Sequence, residues 1–160
     1  MTRSKYPKLW WAVSLVLFQH LSSADEIVVK AKEVNGTWEN SYTRDGEGKS
    51  KYGLDQGWNI WALGHQKLQV EFYGTYFYTD PGGTPSANTG FTDGVATIEG
   101  NVAILKPDDA DPDCRFVLTF KDKELQVVQV GCYALFGNRV GAGGTYKRTS
   151  SKRPKFGEHQ

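Results

Sequence analysis

The chain has 160 residues, 19 of them Lys or Arg and 18 Asp or Glu, so its formal net charge at neutral pH is +1. This length suits one domain, and the nearly balanced charge argues against nucleic acid or an anionic membrane as the principal partner. With two cysteines and three histidines in the whole sequence, few side chains are available for metal or covalent chemistry.

The N-terminus has the features of an export signal. Arg3, Lys5 and Lys8 precede an apolar run over Leu9–Phe18, and small residues stand before and at Ala24. We therefore expect residues 1–24 to be a cleaved signal peptide and the protein to be periplasmic or secreted. The apolar run is shorter than the roughly 20 residues of a transmembrane helix, so an uncleaved anchor is the weaker alternative. Cleavage would remove three positive charges and change the formal net charge from +1 to −2.

Beyond this segment, apolar residues alternate with a period of two and turn residues recur, which indicates strands. The clearest run is the one in which Leu68, Val70 and Phe72 share a face. The segment Ile27–Val34 fits either a strand or a short helix. We predict strands at Gly36–Thr43, Gly57–Leu63, Lys67–Thr79, Gly90–Glu99, Asn101–Lys106, Cys114–Phe120, Glu124–Gly131 and Gly144–Arg148.

About eight strands with short turns predict an all-β fold, a single antiparallel barrel or sandwich over residues 25–148. The similar triplets Gly36-Thr37-Trp38 and Gly144-Thr145-Tyr146 suit the first and last strands of a closing seam. Pro, Gly and charged residues predict two long loops, Thr43–Gln56 and Thr79–Thr89. Residues 149–160 are predicted to be a polar, frayed tail.

The two cysteines, Cys114 and Cys132, bracket two alternating runs. Cysteines that face each other across a hairpin lie within disulfide reach, so we predict one disulfide and an oxidising compartment. A hairpin with the loop Asp122-Lys123-Glu124 would place the two cysteines opposite each other. The same register pairs Phe116 with Val130, Leu118 with Val128, Phe120 with Gln126 and Lys121 with Leu125.

The histidines and acidic residues do not predict catalysis. His65 is the one histidine away from the two termini and falls in a predicted turn, and the sequence has no G-x-S-x-G elbow. Asp109, Asp111 and Asp113 have the spacing of a calcium loop, but Cys114 stands where that loop needs glycine. We therefore expect no enzyme activity, no cofactor and no metal site.

Three carboxylates, those of Glu39, Glu71 and Glu99, lie in or beside predicted strands. An enzyme that uses two of them is the least favoured hypothesis, because nothing in the sequence selects a pair at the separation that glycosidases require. We expect all three to face solvent.

Aromatic residues are the more informative feature. Tyr133, Leu135, Phe136 and Arg139 follow the second cysteine in a predicted loop. Aromatic and arginine side chains on an anchored loop are typical of protein-binding hot spots, so we predict that these four residues bind a protein partner. The alternative is that the loop plugs one end of the barrel and places its aromatic side chains in the core.

Aromatic residues are also frequent within the predicted strands. Trp38, Trp58 and Trp61 would line a cavity for a small apolar ligand if the barrel were hollow. The strand Lys67–Thr79 becomes aromatic on both faces after Phe72. Its second face is therefore either covered by another element or exposed to a partner.

Two resemblances add to these expectations. The start Gly36-Thr37-Trp38 resembles the G-x-W of the calycins, lipocalins and avidins, which implies a barrel and, as an alternative function, a carrier of a small apolar ligand. Further motifs are Ala96–Asn101, Cys114–Phe120 and Gly144–Arg148. Together they are similar to small exported bacterial β-domains, some attached to lysozyme-inhibitor-type modules. This resemblance implies a bacterial envelope protein and, by association with those modules, an inhibitor. From the export signal, the lack of a catalytic set and the anchored aromatic loop, we predict a non-catalytic protein that binds an envelope hydrolase or toxin, with inhibition or immunity as the outcome.

Overall fold

A computed structural model describes residues 30–45, 51–108, 110–132 and 134–158. The predicted signal peptide, residues 1–24, lies outside this range, as do residues 27–29 of the ambiguous first segment. Within the described residues, eight antiparallel strands follow one another around a closed barrel, which confirms the all-β prediction and selects the barrel over the sandwich. The elements are α1 (Ala31–Val34), β1 (Gly36–Asp45), β2 (Lys51–Gly64), β3 (Lys67–Thr79), β4 (Pro85–Glu99), β5 (Val102–Leu105), β6 (Arg115–Lys121), β7 (Glu124–Val130) and β8 (Gly144–Ser150).

Side-chain alternation sets the inner and outer faces of the strands. Trp58 of β2 and Phe72 of β3 lie opposite each other and are fully buried inside the barrel. His65 and Gln66 join these two strands, and both have a positive φ, as a type I′ hairpin turn requires. His65 is exposed in this turn, where the sequence predicted it.

The barrel closes between its first and last strands. Trp38 of β1 lies opposite Arg148 of β8, and Glu39 lies opposite Lys147. The predicted seam is therefore confirmed. The two similar triplets do not face each other along it, because Gly144 instead lies opposite Val127 of β7.

The first four strands project beyond the closed part of the barrel. β1 pairs with β2 as far as Asp45, whereas β8 accompanies β1 only as far as Glu39. On the other side, β4 pairs with β3 from Pro85 onward, whereas β5 accompanies β4 only from Thr97. We call the projecting part of β1–β4 the four-stranded extension.

This extension corrects the two predicted loops. Most of Thr43–Gln56 and part of Thr79–Thr89 continue the strands instead, because cross-strand pairing satisfies their backbone groups in spite of the turn-forming composition. The connection from β3 to β4 is short: Gly83 N–H donates to the carbonyl of Asp80 at 2.9 Å, and Thr84 N–H donates to the Asp80 side chain at 2.8 Å.

The predicted disulfide is confirmed, but the predicted hairpin register is wrong by one residue. Cys114 and Cys132 are bonded, with their Cα atoms 4.6 Å apart. The strands β6 and β7 nevertheless pair Leu118 with Val127, so Val128 faces outward and is 58% exposed. Gly131, which follows the last pair of the hairpin, has a φ of 68°. This turn in the backbone lets Cys132 reach Cys114 although the register is shifted by one residue. The remaining pairs include Phe116 with Gln129, Phe120 with Leu125 and Lys121 with Glu124.

The prediction that residues 149–160 form a frayed tail is wrong for most of these residues. β8 continues to Ser150, and the chain after it returns to the outer face of the barrel, where Gly157 N–H donates a hydrogen bond to Glu71 at 2.5 Å. The guanidinium of Arg153 lies 5.5 Å from the centroid of the Trp61 ring. Among the described residues, no helix combines the length and apolar character needed to cross a membrane.

Candidate functional site

The three tryptophans predicted to line a ligand cavity occupy two different places. Trp38 and Trp58 are fully buried, and Trp58 packs against Phe72 and Phe116 with ring centroids 5.2 and 5.7 Å away. Trp61 points outward from the same strand and is half buried. Trp38 and Trp58 therefore belong to the hydrophobic core, and Trp61 does not join them.

The loop after the second cysteine closes the end of the barrel from which the extension projects. Phe136 packs against Phe72 and Phe116, at centroid distances of 5.2 and 6.0 Å, and forms a bridge with Gly90 of β4. A Cβ at Gly90 would lie 2.7 Å from the Phe136 ring and 2.8 Å from Val140. Glycine at position 90 therefore makes room for this loop, and Phe136 fits the alternative in which the loop is a plug.

Arg139 remains exposed on the same loop. Its φ of 65° lies in the left-handed region, which non-glycine residues seldom adopt. Its Nη1 donates a hydrogen bond to the Tyr76 hydroxyl at 3.1 Å, and its Cζ lies 5.4 Å from the centroid of the same ring. These two contacts hold the guanidinium at the mouth of the barrel.

The remaining predicted partner-binding residues do not join Arg139. Leu135 is half buried and lies in a recess beside the disulfide, together with Ala110 and Ala134. Tyr133 lies outside the described residues. The structure therefore brings Phe136 and Arg139 to one end of the barrel and places Leu135 near Cys132.

Arg139 contacts Tyr76, one of the tyrosines of the extension. Their side chains alternate with outward residues and so share the inner face of β1–β3. Tyr42 is 41% exposed, Tyr78 lies 5.9 Å from Tyr76, and the Arg44 guanidinium lies 5.3 Å from the Tyr42 ring. A recess of about 180 Å³ is lined by Tyr76, Tyr78 and Arg139. We call this set the tyrosine–arginine surface: Tyr42, Arg44, Tyr52, Tyr76, Tyr78 and Arg139.

Arg139 is the one residue of this surface that the sequence predicted to bind a partner, and Tyr76 and Tyr78 had been placed on a strand face that was either covered or exposed to a partner. Tyr42 had been placed at the end of β1, but Arg44 and Tyr52 fell in a predicted loop. The signal that would have found them is the period-two spacing of Tyr42 with Arg44 and of Tyr52 with Leu54, which continues the strand pattern past the charged residues.

A second polar arrangement lies on the outer face. Glu71 points outward yet is fully buried, so the prediction that it faces solvent is wrong. Its Oε1 accepts a hydrogen bond from Asn59 Nδ2 at 3.0 Å, and Asn59 Oδ1 accepts one from the Thr37 hydroxyl at 3.0 Å. Gly157 N–H donates to the other carboxylate oxygen. The four groups form a continuous row across β1–β3.

Tyr73 adjoins this row. Its hydroxyl donates to Glu39 at 3.4 Å, and its ring covers Gly57, where any side chain would collide with it. Burial, followed by the negative charges of Glu39 and Asp55, raises the pKa of Tyr73 well above the ordinary tyrosine value. Tyr73 is therefore a neutral hydrogen-bond donor on an acidic face.

In residues 30–45, 51–108, 110–132 and 134–158, no three His, Cys, Asp or Glu side chains come close enough together to hold a metal ion. Asp109 of the calcium-like spacing lies outside these ranges. Comparisons with models of protein families, with curated proteins and with solved structures find no match to this chain.

Proposed function

We propose that this protein is a non-catalytic binding protein, periplasmic or secreted, that recognises a protein partner through the tyrosine–arginine surface. The partner class that we propose is an envelope hydrolase or toxin, with inhibition or immunity as the outcome. The observation that carries the proposal is the exposed Arg139, held by two contacts to Tyr76 at the mouth of a barrel that fully buries Trp38 and Trp58.

The composition of the surface supports a protein partner. Tyrosine and arginine are enriched among the residues that dominate protein–protein binding energies. Tyrosine offers a large contact area with few rotatable bonds, and Arg139 is already oriented by Tyr76, so little conformational entropy is lost when a partner docks. Because Trp38, Trp58 and Phe72 are buried in the closed part of the barrel, we place recognition on the inner face of the extension, beyond the closed part.

The charge of the surface indicates the chemistry of the partner. Two guanidinium groups, those of Arg44 and Arg139, lie against tyrosine rings within the set. A guanidinium pairs with a carboxylate through two parallel hydrogen bonds, so an acidic segment of the partner complements this surface. The association rate should then fall as the salt concentration rises.

Capture of a partner tests the proposal. Mature protein, tagged at the N-terminus so that its C-terminal segment stays intact, is used as bait in a periplasmic extract, and the captured proteins are identified by mass spectrometry. Arg139→Ala is expected to lose capture by at least about tenfold while melting normally, as truncation of a hot-spot residue does. Arg115→Ala is the matched control, because Arg115 is an exposed arginine on β6.

Phe136→Ala separates the two roles of the loop. Since Phe136 packs against two core rings, we expect this variant to lose stability. The amount of partner that it captures should fall in proportion to the fraction of the variant that remains folded. Undiminished capture by Arg139→Ala, or a protein that captures no partner and inhibits no muramidase, amidase or lipase, would overturn the proposed function.

A further inference from the structure

The segment that follows β8 lies on the outer face of β1–β3 as a strap. We call residues 151–158 the C-terminal strap, and we call the groups beneath it, Thr37, Asn59, Trp61 and Glu71, the strap site. Two contacts join them: Gly157 N–H donates to Glu71 at 2.5 Å, and the guanidinium of Arg153 lies 5.5 Å from the Trp61 ring centroid. Trp61 and Glu71 belong to different strands, so the site is formed by the sheet.

The strap covers the site without being buried itself. Glu71 has no exposed surface, whereas Pro154 and Phe156 are half buried and the other strap residues are exposed. Other outward residues of β3, such as Gln69 and Thr75, are half exposed. Glu71 differs from these two residues in accepting a hydrogen bond from the strap, so departure of the strap would deprive a buried carboxylate of the Gly157 N–H.

Gly157 is fitted to this contact by its backbone. Its φ of 82° favours glycine, and this conformation directs its N–H at Glu71. The neighbouring ion pair between Lys155 and Glu158, at 2.8 Å, is largely exposed to solvent, and such pairs contribute little. The strap therefore contacts the Glu71 carboxylate through a main-chain N–H, that of Gly157.

The strap and the face beneath it have complementary charges. Lys152, Arg153 and Lys155 give the strap an excess of positive charge. The receiving face is acidic, since the exposed Asp93 lies opposite Glu71 on the neighbouring strand. Carboxylates and an indole ring together suit an extended basic peptide, whose cations pair with the acids and stack on the ring.

We propose that the strap site is a peptide-binding site for an extended basic segment, and that the C-terminal strap is its tethered ligand, which a free peptide of the same chemistry can replace. This site is separate from the tyrosine–arginine surface, so the proposal does not depend on the proposed function. It predicts competition between the strap and a free peptide.

Because the strap is tethered to the barrel, it competes with a free peptide at a high effective concentration. A ligand on a short linker acts at an effective concentration on the order of 1 mM. If the strap itself binds with a dissociation constant of about 0.1 mM, it weakens a free peptide's apparent affinity about tenfold. A variant with a detached strap should therefore bind the peptide about ten times more tightly than the wild type does.

The probe is a fluorescein-labelled peptide with the sequence Ser151–Gln160, titrated into full-length mature protein and followed by anisotropy. Gly157→Pro removes the N–H that Glu71 accepts and is expected to detach the strap. Adding Glu71→Gln to it replaces a carboxylate by an amide and should weaken peptide binding at least tenfold. Glu158→Gln breaks only the exposed ion pair and is the matched control, expected to behave as wild type.

The indole N–H resonance of Trp61 reports the strap in the same proteins. We expect it to shift in Gly157→Pro and to return towards its wild-type position when the unlabelled peptide saturates the site. An unshifted Trp61 signal in Gly157→Pro, or a shifted signal without saturable peptide binding up to about 1 mM, would overturn the proposal. Gly157→Ala, strained at this φ but retaining the N–H, replaces Gly157→Pro if the proline variant does not fold.

Discussion

The half of the barrel made by β1–β4 differs from the half made by β5–β8 in strand length. β2 and β4 have 14 and 15 residues, whereas β6 and β7 have seven each. The short half carries the disulfide, and the long half carries most of the tyrosine–arginine surface. The short strands β5–β8 end where the barrel closes. The long strands β1–β4 continue beyond it, so their outer ends carry side chains that are not part of the core and can bind a partner.

The largest effect should come from the closed part of β2. Trp58 is fully buried against Phe72 and Phe116, so Trp58→Ala should lower the free energy of unfolding by about 3–5 kcal/mol through a cavity. Leu54, four residues earlier on the same inner face but in the extension, is half buried. Leu54→Ala should cost roughly 1 kcal/mol.

Urea unfolding of both variants checks this difference. Equal losses of stability would mean that the extension belongs to the cooperative core, and the contrast between the two parts of β2 would then be wrong.

The disulfide should have the next largest effect. It joins residues 18 positions apart at the end of the β6–β7 hairpin, and a closed loop of that size stabilises by about 3 kcal/mol in the chain-entropy model. The double variant Cys114→Ala/Cys132→Ala should therefore unfold at a lower urea concentration. Reduced wild-type protein is the control and should match it. A midpoint that does not change on reduction would count against the disulfide as the support of the short half.

Tyr146 of β8 should make stability depend on alkaline pH. It is fully buried, and its hydroxyl donates to the Ala142 carbonyl at 2.7 Å. Burial raises its pKa above the ordinary value of 10.0, opposed by a smaller effect of Trp58. Because the folded-state pKa is the higher one, the stability is complete below pH 10.0 and is lost above it, at up to about 1.4 kcal/mol per pH unit.

Tyr146→Phe isolates this contribution. The variant should lose about 1 kcal/mol at neutral pH, since the Ala142 carbonyl keeps no donor from this residue, and its stability should decline less steeply than that of the wild type above about pH 10. Urea midpoints measured from about pH 8 to about pH 11 give both slopes. Parallel curves would show that Tyr146 ionises alike in the folded and unfolded chains.

The smallest effect on stability is expected at the exposed end of the molecule. Arg139→Ala removes a surface cation–π contact and one hydrogen bond, which should change the free energy of unfolding by about 0.5 kcal/mol. A thermal melt compared with that of Arg115→Ala checks the value. A loss comparable to that of Trp58→Ala would place Arg139 in the structural core instead of on a binding surface.

The hairpin β6–β7 shows why part of the fold could be predicted and part could not. Alternation identified both strands and the facing cysteines. In β7, however, Leu125 and Val127 mark one face while Val128 and Val130 mark the other, so the pattern is compatible with two registers. The inward-facing Leu118 and Phe120 of β6 select the first one, because opposite side chains share a face and only one face is buried.

The candidate site divides in the same way. The loop with Phe136 and Arg139 was predicted from its composition, because aromatic and arginine side chains after a disulfide are visible in sequence. Its position relative to Tyr76 was not, since the two residues are 63 positions apart along the chain. The burial of Glu71 was also out of reach, because the strap that covers it is polar and shows no periodic pattern.

By itself, the sequence determined the all-β class, the approximate strand positions, the closing seam and the disulfide. The first three depend on period-two alternation, which is a short-range pattern. The disulfide could be predicted because the sequence has only two cysteines. The tertiary structure decided the register of β6–β7 and the length of the extension. It also decided which residues of the loop after Cys132 are buried and which are exposed, and where the C-terminal strap packs. These depend on which distant surfaces exclude water together, and burial of that kind leaves no local periodicity to read.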